Sequence, residues 1–569
     1  MQEIVKIDFR LLTVEQSKLY NDIVPDLQET FNQVIGSIYH KNRNNYNWYF
    51  SSVASRNPHQ SPLFERLCKV RLVEILLSQN DFLEVLVDDY TLYKFIIKNF
   101  RKDSLNISFI GKKKSKINIL VILSFRYFKY LILILGKWFV SSFWKLNLIK
   151  DADLYLVDTF VYSGNNGQGT INNGFYNDRY FPGLLDYIKK TTDSDVYYLP
   201  TLLINKDFLP SFIKVLKQNN FLAKEPYLKA LDWLSLVTLP LGEINLSKNC
   251  LKFKNYNIYD LVKDELLFNK FSISKLISGV NYNFIKRLSS RDINIKGFIE
   301  WYENQVNDRG MILGLRKYFT DVKVSAYQGF VICPNYNFYL APTKYEDDHL
   351  LTPHQIAVTG NCLLKEPKKN YNIKTIVAPA FRFQHLYEPF EPAFIKNKIK
   401  ILIPFSICLK SSLENLKMLF SAVEQSVNSV NFEIIVNLHP AVNSSDIRNS
   451  IQKKYQKILI NDQNFYYNLK RCNLLVGSTS SACVEALVYG LNILIIGSRT
   501  GITSNPIPRK YIDKCKIVYS SNDLRKQIEN FSNNTILSKE NSIEALNDCF
   551  SKVDQDSVRS FITSTLNHK

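Results

Sequence analysis

The sequence predicts an α/β protein: two doubly wound, Rossmann-like domains facing one another across a cleft, with a basic, apolar helical insertion in the first. Three observations predict it. Short Val-, Ile- and Leu-rich runs alternate with helical patterns in two separate blocks, as parallel βαβ construction requires. A stretch at 361–395 with Pro367, Pro379, Pro389 and Pro392 divides the blocks. The chain has 569 residues, more than one hydrophobic core usually supports. Hydrophobic residues at 46% and charged residues at 22% exclude a disordered chain. Gly and Pro, at 19 each, exclude a collagen-like or linker-dominated one.

Taken in order, residues 1–80 read as helices and loops. Residues 81–360 read as the first Rossmann-like domain. Its strands are expected at 81–89, 104–110, 153–160, 195–203, 297–303, 323–330 and 355–360. Helical patterns fall at 91–100, 181–190, 208–217 and over 220–290. A Gly-rich loop at 163–174 follows the strand DLYLVDTF. Residues 361–395 read as a linker. The second Rossmann-like domain spans 396–550, with strands at 399–405, 432–438, 457–460, 473–476, 492–496 and 516–519. Helices are expected at 411–427 and 481–490. A C-terminal helix is expected within 551–569.

Charge narrows the partners. With 72 Lys and Arg against 52 Asp and Glu, the formal net charge is +20, which points to anionic partners. Residues 98–150 hold twelve basic residues and one acid, Asp103, so 12 − 1 gives +11 there. Within that segment, 117–144 is apolar and aromatic but interrupted by Arg126, Lys129 and Lys137. Its uncharged stretches are too short to span a bilayer. Such a pattern suits an in-plane helix on an anionic membrane surface, the insertion being placed at 112–150. A buried helix pair with solvated lysines is the alternative reading. Nucleic acid is not expected, because long aliphatic runs do not face phosphates. The nine cysteines include no Cys-x-x-Cys pair, so buried thiols in a reducing compartment are expected and zinc spacing is absent. Met1 to Arg10 carries no apolar signal core. The protein is therefore expected in the cytoplasm, peripheral on the inner face of the cytoplasmic membrane.

Candidate chemistry lies at strand ends, where doubly wound sheets bind ligands. His439 and Pro440 follow the strand FEIIV. An imidazole there can donate to a phosphate oxygen and offset charge on a leaving nucleotide. Ser478, Thr479, Ser480 and Ser481 follow the strand NLLV and precede a helix. Their hydroxyls, Ser481 as the cap, and the free N–H groups of the helix start suit a phosphate. Glu485, one turn in, can accept from a ribose diol, or be a solvated charge. In the first domain Glu303 ends the strand GFIEWYE. It can deprotonate an acceptor hydroxyl or attack an anomeric carbon; a cap, or an ion pair with Arg309 or Arg316, is the alternative. Asp158 is the second candidate, ahead of Gly164, Gly167 and Gly169. Gln328 and Gly329 are expected to line the same cleft. No metal site is expected: Asp347, Asp348 and His349 read as a solvated loop.

The HP pair His439-Pro440, the later Ser480-Ser481 turn and E-A-L-x-x-G together resemble bacterial glycosyltransferases of the GT-B fold. They resemble in particular transferases that use CMP-activated acidic sugars, of the sialic acid and Kdo (nonulosonate) type, whose HP and Ser/Ser motifs bind CMP. The runs W-Y-E-N-Q at 301–305 and A-Y-Q-G at 326–329 look like surface-carbohydrate (capsule or lipopolysaccharide) biosynthesis proteins. The acidic Asp/Glu-Asp/Glu-Gly motif of sialyltransferases has no copy: Asp347-Asp348 is followed by His349. The resemblance implies a nucleotide-sugar donor, most simply a CMP-sugar, a saccharide or lipid-linked saccharide acceptor, and no required cofactor. HP and Ser-rich turns also occur in CDP-polyol-phosphate transferases of teichoic-acid type and in UDP-sugar epimerases, and a non-catalytic assembly protein stays open.

Overall fold

The computed structural model describes residues 5–100, 105–111, 116–144, 152–162, 169–172, 174–203, 208–248, 251–291, 293–388, 399–406, 409–424, 432–439, 459–460, 465–531 and 539–566, with isolated positions at 449, 451 and 453. Pro440, Gly164, Gly167 and Lys112 to Lys114 lie outside the described residues.

The N-terminal region is not helical throughout. Strand β1 (Val5–Asp8) precedes the long helix α1 (Val14–Lys41), which starts on a Thr13–Gln16 capping box. After helix α2 (Leu63–Gln79) come β2 (Leu83–Val87), α3 (Tyr90–Asn99) and β3 (Leu105–Phe109). The three strands form a parallel sheet of their own, in the order β1-β2-β3. This corrects two expectations: residues 1–80 contain a strand, and the runs at 81–89 and 104–110 do not join the first Rossmann-like sheet. Ile7, Val85 and Val87 give the reason. Each is fully buried against the helical layer, so the small sheet has its own core to cover.

Helix α4 (Lys116–Ser142) is a single 27-residue element. The first large sheet then runs through β4 (Asp153–Tyr162), helix α5 (Leu184–Thr191), β5 (Asp195–Leu203), helices α6 (Phe208–Leu216), α7 (Ala230–Thr238) and α8 (Ile273–Leu288), β6 (Asn294–Trp301), helix α9 (Val306–Tyr318), β7 (Val324–Gln328), β8 (Gln355–Val358) and β9 (Lys374–Val377). Its order is β9-β8-β7-β6-β4-β5, all parallel. Alternate residues face opposite layers, as strand geometry dictates. Leu156 and Phe298 meet α8 and α9 through Phe284 and Met311. Tyr155, Val157 and Ile299 meet α5 through Leu184 and Ile188. Strand β9 falls inside 361–395, so that segment is not simply a linker. The alternation in IKTIV supplies an edge strand, and the flanking prolines mask it in sequence.

The second sheet uses β10 (Ile399–Pro404), helix α10 (Leu409–Glu424), β11 (Phe432–Asn437), β12 (Leu459–Ile460), β13 (Leu474–Gly477), helix α11 (Ala482–Val488), β14 (Asn492–Ile496), β15 (Cys515–Val518) and helix α12 (Ser521–Phe531). Its order is β12-β11-β10-β13-β14-β15, again parallel. Both sheets are thus doubly wound. Their strand order reverses between β4 and β6 in the first and between β10 and β13 in the second, and ligands bind at such switch points.

The chain crosses between domains twice. The 3-10 segment Phe381–Tyr387 leaves the first domain. Helix α13 (Lys539–Cys549) precedes the return, where Ala380 N–H donates to the Ser551 carbonyl (2.9 Å). The last helix, α14 (Gln555–Thr565), packs on the first domain: Phe561 and Ile562 join its core, and Lys323 Nζ donates to the Ser564 carbonyl (2.6 Å).

Candidate functional site

The first-domain wall of the cleft is built at the end of β6. Trp301 closes the strand, buried, and its indole N–H donates to Glu303 Oε1 (2.8 Å). Gln305 Nε2 donates to Glu303 Oε2 (2.6 Å). The turn between them is fixed from below by Asp308, in the first turn of α9. Its carboxylate accepts the N–H groups of Glu303 (3.2 Å) and Gln305 (2.8 Å). Asn304, at φ 47°, takes the left-handed conformation, and its amide donates to the Tyr339 carbonyl (2.6 Å). Glu303 is therefore aimed by donors on each oxygen and keeps a lone pair on each. It is half-buried. Its charge acts on His59, whose pKa burial lowers and Glu303 raises.

Asp158 sits differently. Strand β4 continues to Tyr162, so Asp158 is inside the strand and only 5% exposed. Lys224 Nζ lies 3.3 Å from its Oδ1 and also donates to Thr201 and Asn281 (both 2.9 Å). Burial pushes the Asp158 carboxyl up despite that lysine. Glu300, nearby and fully buried, has neither oxygen hydrogen-bonded, and burial pushes it far above the carboxylate range, so it is held neutral. Both carboxyls are interior. Gln328 is likewise interior, donating to the Leu340 carbonyl (3.3 Å). Asp347 is bonded by Arg316 Nη1 (2.7 Å) and the Thr352 hydroxyl (2.8 Å).

Two arginines near this wall carry no motif: Arg382, and Arg179, whose guanidinium lies over the Tyr162 ring at 5.8 Å. The Arg382 guanidinium, from the crossover segment, lies over the Trp301 ring at 5.7 Å. Tyr180 packs edge-on to the same ring at 4.5 Å. Arg179 precedes Tyr180 in a tight turn held by Asp178, whose carboxylate accepts the N–H groups of Tyr180 (2.8 Å) and Phe181 (3.0 Å). Among the described residues, neither Arg179 nor Arg382 has a carboxylate within ion-pair distance. Burial, then Arg179, lowers the Arg382 pKa.

The second domain brings His439 to this place. It stands two residues beyond β11 and is half-buried. Burial first, then the charges of Arg179 and Arg382, hold its pKa below the ordinary histidine value. At neutral pH it is an uncharged imidazole beside two cations.

The Ser-rich turn follows β13 at the switch point. Ser478 Oγ accepts from Asn415 Nδ2 (3.2 Å), and Thr479 is exposed. The cap differs from expectation. Ser480 Oγ, not Ser481, accepts the Ala482 N–H (3.3 Å). Ser481 has right-handed helical backbone angles, which turn its hydroxyl away from the N–H groups; it donates instead to Glu485 Oε1 (3.0 Å). Helix α11 has only seven residues, so the turn binds through hydroxyls more than through a helix dipole. Glu485 is 4% exposed, with His385 Nε2 3.3 Å from its other oxygen. The His385 ring packs tilted against that of Tyr466, centroids 3.6 Å apart. Glu485 is therefore committed to clasping α11 to the crossover segment, and is not open for a ribose diol.

Of the residues singled out in sequence, Glu303 follows the end of β6, and His439 and the 478–481 turn follow β11 and β13, which flank β10. Asp158 and Gln328 are buried within strands. Arg179, Arg382, His385, Tyr466 and His59 had no motif to mark them. The one local signal was the Asp178 turn that presents Arg179.

No family model and no curated protein matches the chain. Among solved structures, it is similar to a Staphylococcus aureus MnaA–UDP co-structure, at 9% identity and TM-score 0.40, covering 74% of this chain and 98% of that one. It is similar to the glycosyltransferase SnogD from Streptomyces nogalater, at 10% identity and TM-score 0.37, covering 73% and 96%. It is also similar to the Methanocaldococcus jannaschii UDP-GlcNAc 2-epimerase in complex with UDP-GlcNAc and UDP, at 12% identity and TM-score 0.35, covering 72% and 99%.

Proposed function

We propose that this protein is a nucleotide-sugar-dependent glycosyltransferase. The observation that carries the reading is the pair Arg179 and Arg382, without carboxylate partners among the described residues: Arg382 lies over the Trp301 ring whose indole N–H holds Glu303, and the charge of both arginines reaches His439. Two guanidiniums and an imidazole N–H suit the phosphate of a departing nucleotide. Glu303 stands on the opposite wall, where an acceptor hydroxyl would enter. In the reaction the acceptor oxygen bonds to the anomeric carbon, the bond from that carbon to the phosphate oxygen breaks, and Glu303 takes the hydroxyl proton. If Glu303 is instead the nucleophile, its oxygen bonds to the anomeric carbon as the bond to the phosphate oxygen breaks; the acceptor oxygen then displaces Glu303 and gives its proton to the departed phosphate. The nucleotide rests against the 478–481 turn. The arginines supply the charge that a metal otherwise provides, so transfer should persist in excess EDTA.

The finer reading follows the resemblance. The donor is a CMP-activated acidic sugar, and the acceptor is a lipid-linked or growing surface polysaccharide, met on the inner face of the cytoplasmic membrane. A thermal-shift screen with CMP, CDP, UDP and GDP tests the donor. CMP is expected to stabilise the wild type and to lose most of that effect in Arg382→Met. Stabilisation by UDP alone would overturn the CMP assignment, and by CDP alone would favour a polyol-phosphate transferase. Glu303→Gln should lower kcat about 10²–10⁴-fold with the nucleotide shift intact. Unchanged turnover in Glu303→Gln or in His439→Ala would sink the site.

A further inference from the structure

Helix α4 has two unlike faces. One is fastened to the protein. Tyr130 and Ile134 are buried against Trp233 and Leu236 of α7 and against Leu276 and Val280 of α8. The Tyr130 hydroxyl donates to the Leu236 carbonyl (2.9 Å), and Arg126 Nη1 donates to the Phe268 carbonyl. Lys137, which in sequence looks like a lipid-facing cation, is buried and ion-paired with Glu225. The other face is apolar and uncovered. Phe125, Phe128, Ile132, Leu135, Phe139 and Phe143 recur at steps of three and four residues, which puts them on one side of a helix. All are largely exposed, from 52% at Ile132 to 73% at Phe143. Leu231 and Leu234 of the neighbouring α7 are exposed too, at 74% and 59%.

At 27 residues the helix is about 40 Å long. From Phe125 to Phe143 the apolar ridge runs about 27 Å, which is not a normal water-facing surface. Its charge decides the occupant. Helix α4 contains no acidic residue, Lys129 is exposed, and residues 98–150 carry twelve basic residues to one acid. No helix among the described residues is long and apolar enough to cross a membrane. We infer that α4, with the exposed leucines of α7, is a docking face for an anionic lipid bilayer: the ridge lies in the acyl–headgroup boundary and the cations meet lipid phosphates. This rests on the lipid-linked acceptor reading only for its purpose, which is to hold the cleft at the surface where such an acceptor is found.

The test is flotation of the full chain, without nucleotide, on phosphatidylcholine vesicles with and without phosphatidylglycerol. Binding is expected only with phosphatidylglycerol, and weaker in high salt. The triple substitution Phe125→Ser, Phe128→Ser, Phe139→Ser should reduce the bound fraction about tenfold or more. Lys129→Glu, a surface change that cannot disturb the core, should reduce it as well. Melting temperature and the nucleotide shift should stay at wild-type values, which separates this test from that of the donor site. Three outcomes would overturn the proposal: no wild-type binding, full binding by the triple variant, or a wild-type dimer that the triple variant splits while vesicle binding is unchanged. The last would make the ridge a self-association face.

Discussion

At the scale of single residues, this protein tolerates unusual buried charge. Lys275, in the first turn of α8, is 2% exposed and has one polar partner, Asn47 Oδ1 at 2.6 Å. Burial lowers its pKa from 10.5 to about 7. The sign of the linkage follows. Below pH 7 the lysine is charged in both states, and the folded protein bears the whole penalty of burying that charge. Between pH 7 and 10.5 the unfolded chain binds more protons, so stability rises with pH and the penalty fades. Lys275→Met should therefore raise the melting temperature at pH 6.5, with a gain of at most about 5 kcal/mol. The difference from wild type should shrink toward pH 10, as followed by calorimetry; a gap that stays constant with pH would contradict buried ionisation. The same scale shows what sequence can and cannot reveal about the site. The positions of Glu303 and His439 just beyond strands were legible, because buried strands are continuous apolar runs. Arg179 and Arg382 were not. A single arginine in a chain with 72 basic residues carries no signal, and only the fold brings both charges to bear on His439. Asp158 misled because β4 runs four residues past it.

Elements place the site through close helix contacts. Helix α9 carries in its first turn Asp308, which holds the Glu303 turn, and lies directly on α8. The crossing is permitted by Gly310 and Gly314: a Cβ at Gly310 would overlap the Ser278 carbonyl, and one at Gly314 would meet Ile285 Cβ at 2.9 Å. Gly310→Ala should push the start of α9 outward. The expected loss is roughly 2–4 kcal/mol of stability, with kcat falling more than KM changes, because Glu303 moves while the nucleotide wall does not. Gly136→Ala on α4, where nothing lies within 4 Å, should be neutral or slightly stabilising. Equal melting temperatures for the two variants would dismiss the packing argument. At this scale the sequence was most readable. Strands at 195–203 and 492–496 fell where expected, because fully buried parallel strands are continuous apolar runs. Strand β1 was missed because four residues before a long helix leave too short a pattern. Strand β9 was missed because prolines at 367 and 379 outweighed the alternation between them.

Over the whole molecule, each large sheet carries a core on either face, a fifth cluster fastens α4, and Ile502 of the second domain packs into the first domain's core. The first-domain clusters include Phe561 and Ile562 of α14, so the end of the chain belongs thermodynamically to the first domain. The second domain has its own clusters on either side of β10 and β13. Behind the cleft, Arg499 Nε donates to the Leu12 carbonyl and Thr503 N–H to Asn21 Oδ1, both at 2.6 Å. At the cleft itself Arg179, Arg382 and His439 come from the first domain, the crossover and the second domain, and an anion is what would connect them. The global charge of +20 contributes little there, because charges farther than about 8 Å are screened at physiological salt. Two calorimetric transitions are therefore expected for the free protein, one per domain. A nucleotide at 100 times its Kd stabilises whatever it binds by about 2.7 kcal/mol. If it spans the cleft, that gain is shared, so both transitions should rise and draw together. Arg179→Met should leave the second-domain shift partly in place and remove the first-domain shift, since the first-domain cation is then gone. A nucleotide that raises only one transition in the wild type would mean the phosphate is held by one domain alone, and the two arginines would need another ligand.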